Sequence, residues 1–504
     1  MLRPHIITIE TDISRGLHSF SIVGLPDKAV EESRDRVSAA IKNSGFKSPK
    51  QTNAKITVSL APSHIRKEGP AFDLPIALGY LLATDEISFD PTDKLFVGEL
   101  ALDGTVRPIN GALSYARLAR DTGIREIYVP RANQDEAALM GGLDVYGIER
   151  LTDVVAHLDT RHPSSSLQTA ERSTPAPPKN DGMDFDDIVG QTTAKRALTI
   201  AAAGRHNIAL FGPPGTGKTM LARALRSILP PLSFEESLET TEIHSIAGSL
   251  EGTLITTPPV RSPHHTASYS ALIGGGSNPR PGDITLAHHG VLFLDEFPEF
   301  DKRVLEALRQ PLEEKIIAIS RTKGSAIFPA DFILVAAMNP CPCGNKGIIG
   351  KECSCSPATI RNYEKKISGP IADRIDMWIE VSEIEHEKLL RERQPGTETK
   401  RARDLVERAR KRQVDRFTRL GVPADSNTDI SSRDISRSVR LCKDAERALN
   451  RAAERYGLSG RGYYRTLKLA QTIADLEESE DVKTPHVMEA LQYRQRGSSA
   501  SDQH

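Results

Sequence analysis

Long apolar runs are missing from this 504-residue chain. The longest, such as Phe332 to Met338, are strand length and far short of the ~20 residues a bilayer-crossing helix needs, so no membrane span is expected. Met1 to Glu10 holds no apolar h-region followed by a small-residue cleavage site, so export is not signalled and the expected location is cytoplasmic. An excess of one charge is missing too: 66 Lys and Arg face 67 Asp and Glu, a formal net charge of -1. A chain-wide cationic field for nucleic acid or anionic lipid is excluded, and any polyanion site must be local. Aromatics make up only 5% with a single tryptophan, Trp378, which argues against an aromatic-rich binding surface, while 38% hydrophobic content argues against disorder throughout. Cysteine is scarce, and four of the five crowd into residues 341 to 355, leaving Cys442 alone. That distribution suits a metal site or local redox pair, not a secreted disulfide scaffold.

At roughly 150 residues per domain the length predicts about three domains. Pro163, the serines 164 to 166, Pro175, Pro177 and Pro178 interrupt every period between residues 161 and 183, which reads as a linker. Residues 1–160 alternate short apolar runs (Ile6 to Ile9, Ile56 to Leu60, Leu95 to Val97, Glu126 to Val129) with helical patterns (Lys28 to Asn43, Asp73 to Ala83, Ala112 to Thr122), an α/β pattern. A second α/β stretch, 184–382, offers strand candidates Asn207 to Phe211, Val291 to Leu294, Ile316 to Ser320 and Ile333 to Ala337. Residues 383–496 are polar, basic and helix-patterned, for instance over Ser436 to Tyr456 and Tyr463 to Glu477, and 497–504 are a polar tail.

Gly212-Pro213-Pro214-Gly215-Thr216-Gly217-Lys218-Thr219 follows the first of those strands and opens a helical pattern, the context a P-loop requires. Its glycines let backbone N–H groups turn toward phosphate oxygens, Lys218 reaches the β and γ phosphates, and Thr219 gives a hydroxyl to Mg²⁺, so the ligand is ATP or GTP. Val291 to Leu294 ends in Asp295 and Glu296, where Asp295 would hold Mg²⁺ and Glu296 would polarise the attacking water. Asn339 stands at the carboxyl end of another buried strand, where ligands sit in open α/β sheets, and can orient water against the γ-phosphate.

The order of P-loop, Asp-Glu strand, Asn strand, the segment Gly369-Pro370-Ile371-Ala372-Asp373-Arg374-Ile375-Asp376 and a helical lid resembles an AAA+ ATPase of the magnesium-chelatase-like group. Within it, Ser21-Ile22-Val23-Gly24-Leu25-Pro26-Asp27, Arg261-Ser262-Pro263-His264-His265-Thr266 and Asn339-Pro340-Cys341-Pro342-Cys343-Gly344 resemble the YifB/ComM family. The resemblance implies a ring-forming, hexameric, ATP-driven helicase that migrates branched DNA, with ATP and Mg²⁺ as cofactors. It implies that Arg374 is an arginine finger acting on a neighbouring subunit's nucleotide, and that Arg461 is the lid's sensor-2 arginine, with Arg465 one turn on as the competitor. Residues 1–160 resemble the Lon protease domain, but Ala71 stands where Lon-type enzymes carry the nucleophilic serine and Leu113 where they carry the lysine, so no peptidase activity is expected.

Three features bear on DNA, single-stranded or branched and taken without regard to sequence. The 77 positions between Lys218 and Asp295 imply an insertion, whose glycine-rich run Ala271 to Gly282 is a candidate pore loop. The hairpin pattern Lys315 to Pro329 carries a cationic tip at Arg321 to Ser325. Lys400 to Leu420 holds nine basic and three acidic residues, which reads either as a solvated helix face or as a track for a DNA backbone. Cys341-x-Cys343-x9-Cys353-x-Cys355 leaves structural zinc, free buried thiols and disulfides open. His264-His265 and His288-His289 lack the spacing of a zinc catalytic site. The expectation is thus an ATPase motor on DNA; the alternative is a chelatase-type motor that remodels a protein partner.

Overall fold

A computed structural model describes residues 4–162, 164, 166–171, 182–276, 279–321, 324–346, 351–382 and 397–494, with the side chains of 320–325 left aside. The chain forms two compact units, one from Pro177–Ser233 and Thr256–His504, the other from Leu2–Ala176 and Phe234–Ile255. Much of the expected linker, the expected boundary at 382/383 and the tail 497–504 lie outside the described residues.

The first unit is organised by a five-stranded sheet in the order Val260–Arg261, Val291–Leu294, Ile333–Met338, Ile208–Phe211, Met377–Glu380, with every neighbouring pair parallel. Alternate residues of each strand feed two different cores, which is why these strands read as unbroken apolar runs. Ile208, Leu210, Val291, Phe293, Ile333, Val335 and Ala337 pack with the helices Thr192–Gly204, Lys218–Ile228 and Thr397–Leu420. Ala209, Leu292, Leu294, Leu334 and Ala336 pack the other way, on Leu272, Ile284, Phe297 and Leu305. The helices Lys443–Tyr456, Gly460–Leu476 and Thr484–Gln492 join the first of these cores through Leu449, Ile473 and Val487.

The hairpin expected over Lys315 to Pro329 forms, apart from the parallel sheet: Ile316–Arg321 pairs antiparallel with Gly324–Pro329, and Ile317, Ile319, Ala326 and Phe328 turn its apolar face inward. The glycine-rich run closes into its own small pairing of Gly274–Gly275 with Arg280–Pro281, close enough that a Cβ on Gly274 would sit 2.4 Å from the Arg280 carbonyl oxygen. The helix expected over Ser436 to Tyr456 is broken. Ile435–Ser438 is one turn and Lys443–Tyr456 a separate helix, because Arg440 O accepts from Val482 N at 2.7 Å and Cys442 N donates to Val482 O at 3.2 Å.

The second unit holds two three-stranded sheets. Ala54–Ala61 lies between Thr8–Arg15, antiparallel to it, and Ser19–Val23, parallel. Glu126–Pro130 lies between Lys94–Phe96 and Asp144–Ile148, both parallel to it. Helix Lys28–Asn43 begins where the Asp27 carboxylate accepts from Val30 N at 2.8 Å, an N-cap that satisfies one of the helix's free donors. Leu113, expected at a Lon-like lysine position, is fully buried.

Part of the insertion expected after the P-loop helix belongs to this second unit. Helix Phe234–Ala247 packs Leu238 among Leu113, Ala116 and Ala119. Polar contacts join it there as well: Ser114 Oγ donates to Glu242 Oε1 at 2.9 Å, Arg117 pairs with Glu242 Oε2 at 3.3 Å, and Ser245 Oγ accepts from Gly111 N at 2.8 Å. Motif spacing alone marked the insertion; its partner could not be read, since it lies more than 100 positions away.

Candidate nucleotide site

The site stands at the carboxyl ends of three adjacent strands, where open α/β sheets bind ligands. Phe211 leads directly into Gly212, whose N–H donates to Met338 O at 3.2 Å, so the loop starts pinned to the next strand. Gly215 at φ +83 and Gly217 at φ +89 hold left-handed backbone that favours glycine and carry the chain into the helix Lys218–Ile228. The first N–H groups of that helix have no intrahelical acceptor, which makes its start a ready anion site.

Lys218 is buried, and its ammonium donates to Gly212 O and Pro213 O at 2.7 Å each and to Asn339 Oδ1 at 3.2 Å. All three of its protons are thereby taken by oxygens of this site. Burial lowers the Lys218 pKa and the Asp295 carboxylate opposes that. Thr219 Oγ1 donates to Asp295 Oδ2 at 2.8 Å, while Asp295 Oδ1 accepts from Glu296 N at 2.9 Å. The hydroxyl and carboxylate expected to hold Mg²⁺ are therefore neighbours, and the buried amine beside them suits a polyphosphate: the residues fit MgATP. Glu296 adopts φ +51, a strained setting for a non-glycine residue that turns the chain sharply after the strand.

Two further residues bear on this site, one noted in sequence without a role at the nucleotide and one not noted at all. His265 Nδ1 lies 3.0 Å from Glu296 Oε2, so the imidazole orients the carboxylate expected to polarise water. Gln191, at φ +50 just before helix Thr192–Gly204, donates through Nε2 to Thr216 O at 3.3 Å and to Ser382 O at 2.7 Å. His265 belongs to the motif 261–266, where the sequence signal was a paired histidine; nothing in the sequence flags Gln191.

Arg374 takes no part in this constellation. It is buried, pairs with Glu313 Oε2 at 2.7 Å and donates to Pro370 O, and so is bound neither to Asp373 nor to Asp376. Arg461 meets the same Glu313 carboxylate. Arg374 and then Arg461 hold the Glu313 carboxyl below its ordinary range. Arg465 instead approaches Asp376 Oδ1 at 3.5 Å, so the two lid candidates are separated by partner although both sit on one helix.

The four clustered cysteines are together. Cys341 Sγ lies 3.4 Å from Cys343 and 3.6 Å from Cys353, Cys343 lies 3.6 Å from Cys353, and the sulfurs of all four fall within 4.8 Å of one another. None is in a disulfide.

Against this geometry stand the known proteins. The family described as "Magnesium chelatase, subunit ChlI" matches residues 184–389, "Subunit ChlI of Mg-chelatase" matches 9–133, and "Magnesium chelatase, subunit ChlI C-terminal" matches 396–494. The chain is 42% identical over 493 residues to competence protein ComM of Haemophilus influenzae, covering 97% of this chain and 94% of that one. It is 41% identical over 493 residues, with the same coverage, to YifB of Escherichia coli K12. The chain belongs to the YifB/ComM family. A more distant likeness, 30% identity over 161 residues, links it to the magnesium-chelatase 67 kDa subunit of Chlorobaculum parvum, covering 31% of this chain and 23% of that one. Membership in a magnesium-chelatase-like AAA+ family implies use of ATP and Mg²⁺, in line with the fit at Lys218, Thr219 and Asp295. No helix among the described residues is long and apolar enough to cross a membrane.

The basic run of this family member is neither a plainly solvated face nor a bare track. Within Thr397–Leu420, Arg403 donates to Ser227 O, Arg410 to Ala202 O at 2.8 and 3.0 Å, and Arg412 to Ser479 O at 3.3 Å. Ser227 and Ala202 lie in the last turns of helices Lys218–Ile228 and Thr192–Gly204, whose carbonyls lack intrahelical partners and attract cations. Arg416 pairs with the fully buried Asp475 at 2.5 and 2.9 Å. Arg408, in contrast, is 59% exposed, beside Glu478. The cationic tip at 321–325 lies outside the residues whose side chains are described.

Proposed function

We propose that the chain is an ATP-hydrolysing, ring-forming cytoplasmic motor that moves branched or single-stranded DNA, a helicase serving recombination or natural transformation. The observation that carries the reading is the meeting of Lys218, Thr219, Asp295 and Asn339 at one sheet edge while Arg374 and Arg461 share a carboxylate elsewhere in the same unit. Among the described residues Arg374 and Arg461 are held at Glu313 and not at this site, so the finger that completes it comes from the next subunit and nucleotide lies between copies, hexameric by the family resemblance.

Bound MgATP supplies a polarised γ-phosphate for attack by water. Lys218 leaves the carbonyls of Gly212 and Pro213 to meet phosphate, and the Thr219 and Asp295 oxygens hold the ion. Glu296, oriented by His265, accepts the proton of the attacking water, and Asn339 steadies that water from the neighbouring strand. Arg374 of one copy acts as the finger, with Arg461 as the lid arginine. The four cysteines hold a structural zinc ion. The domain with Ala71 and Leu113 in place of a Lon-type dyad serves assembly or docking and cleaves no peptide.

Support for DNA comes from the likeness to a protein named for competence. The likeness to the magnesium-chelatase families favours one second reading, a motor that remodels a protein partner. A forked-duplex strand-displacement assay separates them. ATP-dependent displacement, lost in Lys218→Ala and in Arg374→Ala but partly restored when the two variants are mixed, is expected; displacement by Lys218→Ala alone overturns the motor site, and no displacement by the wild type favours the second reading.

A further inference from the structure

The segment 338–344 touches the P-loop three times. Met338 O accepts from Gly212 N at 3.2 Å, Asn339 Oδ1 accepts from Lys218 Nζ at 3.2 Å, and Gly344, at φ +79, comes so near Pro214 that a Cβ there would lie 2.9 Å from its Cδ. Two thiols, Cys341 and Cys343, interrupt this stretch; the other two, Cys353 and Cys355, lie just before the helix Pro357–Glu364.

Four sulfurs at a Zn–S distance of ~2.3 Å stand about 3.8 Å apart at the corners of a tetrahedron. The separations among Cys341, Cys343 and Cys353, 3.4 to 3.6 Å, are near that edge, and all are far too long for a disulfide at ~2.05 Å. Lys346 N donates to Cys341 Sγ at 3.4 Å and Asn345 N to Cys343, the backbone support that metal-bound thiolates receive.

We infer that this four-cysteine zinc site is a clasp that holds segment 338–344 against the P-loop, so that affinity for MgATP depends on zinc. The inference rests on the nucleotide site proposed above. Metal loss then disarms the ATPase without touching a residue that contacts nucleotide.

The test uses the purified full chain without DNA. Elemental analysis is expected to give about one zinc per chain, lost in Cys353→Ser/Cys355→Ser and retained in Cys442→Ser. Equilibrium binding of a fluorescent ATP analogue with Mg²⁺ is expected to weaken about tenfold or more in the double variant. Gly344→Ala separates clasp from fold: it is expected to keep zinc and still bind the analogue about tenfold more weakly. Absence of zinc from the wild type, with all four thiols reacting freely, overturns the site. Zinc-loaded Gly344→Ala with wild-type affinity overturns the clasp, even where the double variant fails to fold. A zinc-loaded wild type that binds no MgATP sinks the nucleotide site itself, and the clasp with it.

Discussion

Gly212→Ala isolates the packing on which the nucleotide site is built. A Cβ at this position falls 2.2 Å from Val381 O and 3.2 Å from its carbon. Real Cβ atoms stay beyond about 3.0 Å, so the loop and the end of the Met377–Glu380 strand must part by nearly 1 Å. Neither side gives easily: Gly212 N is bonded to Met338 O at 3.2 Å, and Val381 N donates to Phe211 O at 2.8 Å. Overpacking of this kind costs about 1–3 kcal/mol. At roughly 2–4 °C per kcal/mol for a large domain, the melting temperature should fall by about 2–12 °C. The assay is a thermal scan with and without MgATP, since ligand at 100 times its Kd adds about 2.7 kcal/mol to the wild type. The variant is expected to melt lower and to lose most of that increment. A variant that melts within about 1 °C of wild type with the full ligand increment would refute the claim that Val381 and Met338 fix the start of the loop.

Arg410→Gln should destabilise by about 1–3 kcal/mol in denaturant unfolding, because it strips the charge-assisted bonds from Ala202 O, whereas Arg408→Gln should stay within about 0.5 kcal/mol. Equal effects would show that the inward and outward faces of this helix have been confused. Acid is the next probe. Burial pushes the Asp376 carboxyl up, but His206, Arg465 and Asn207 N–H more than reverse it; burial likewise pushes Asp331 up and Arg205 and Lys315 more than reverse it, so both end below their ordinary value. A depressed folded pKa means stability that is present above the unfolded value near 3.9 and lost as pH falls through the folded one, so the unfolding midpoint should drop below about pH 4. Asp376→Asn should flatten that slope; an unchanged slope would remove this carboxylate from the account.

The legible parts of the chain share one property: their pattern is short-range. Strand Ile208–Phe211, the loop after it and helix Lys218–Ile228 follow one another without a break, and so do Val291–Leu294 and its two carboxylates. Strand Val260–Arg261 is two residues long and leaves no periodic trace, although it closes the sheet. Ile316–Arg321 and Gly324–Pro329 are legible as a hairpin because their pairing, too, spans only a few positions. Glu313 illustrates the limit for sites. It lies in a short helix with no motif around it, and its importance comes from Arg374 and Arg461, 61 and 148 positions away, converging on one carboxylate. The basic helix fails for the same reason: counting charges on Thr397–Leu420 cannot reveal that carbonyls of two other helices already occupy Arg403 and Arg410.

The central claim is that nucleotide turnover at Lys218 is coupled to DNA. Steady-state ATPase rate measured on the zinc-loaded wild-type chain, with and without forked DNA, tests it most directly, with Lys218→Ala as the blank. The account predicts that forked DNA accelerates turnover several-fold and that Lys218→Ala shows none in either condition. Turnover indifferent to forked, single-stranded and duplex DNA alike would contradict it.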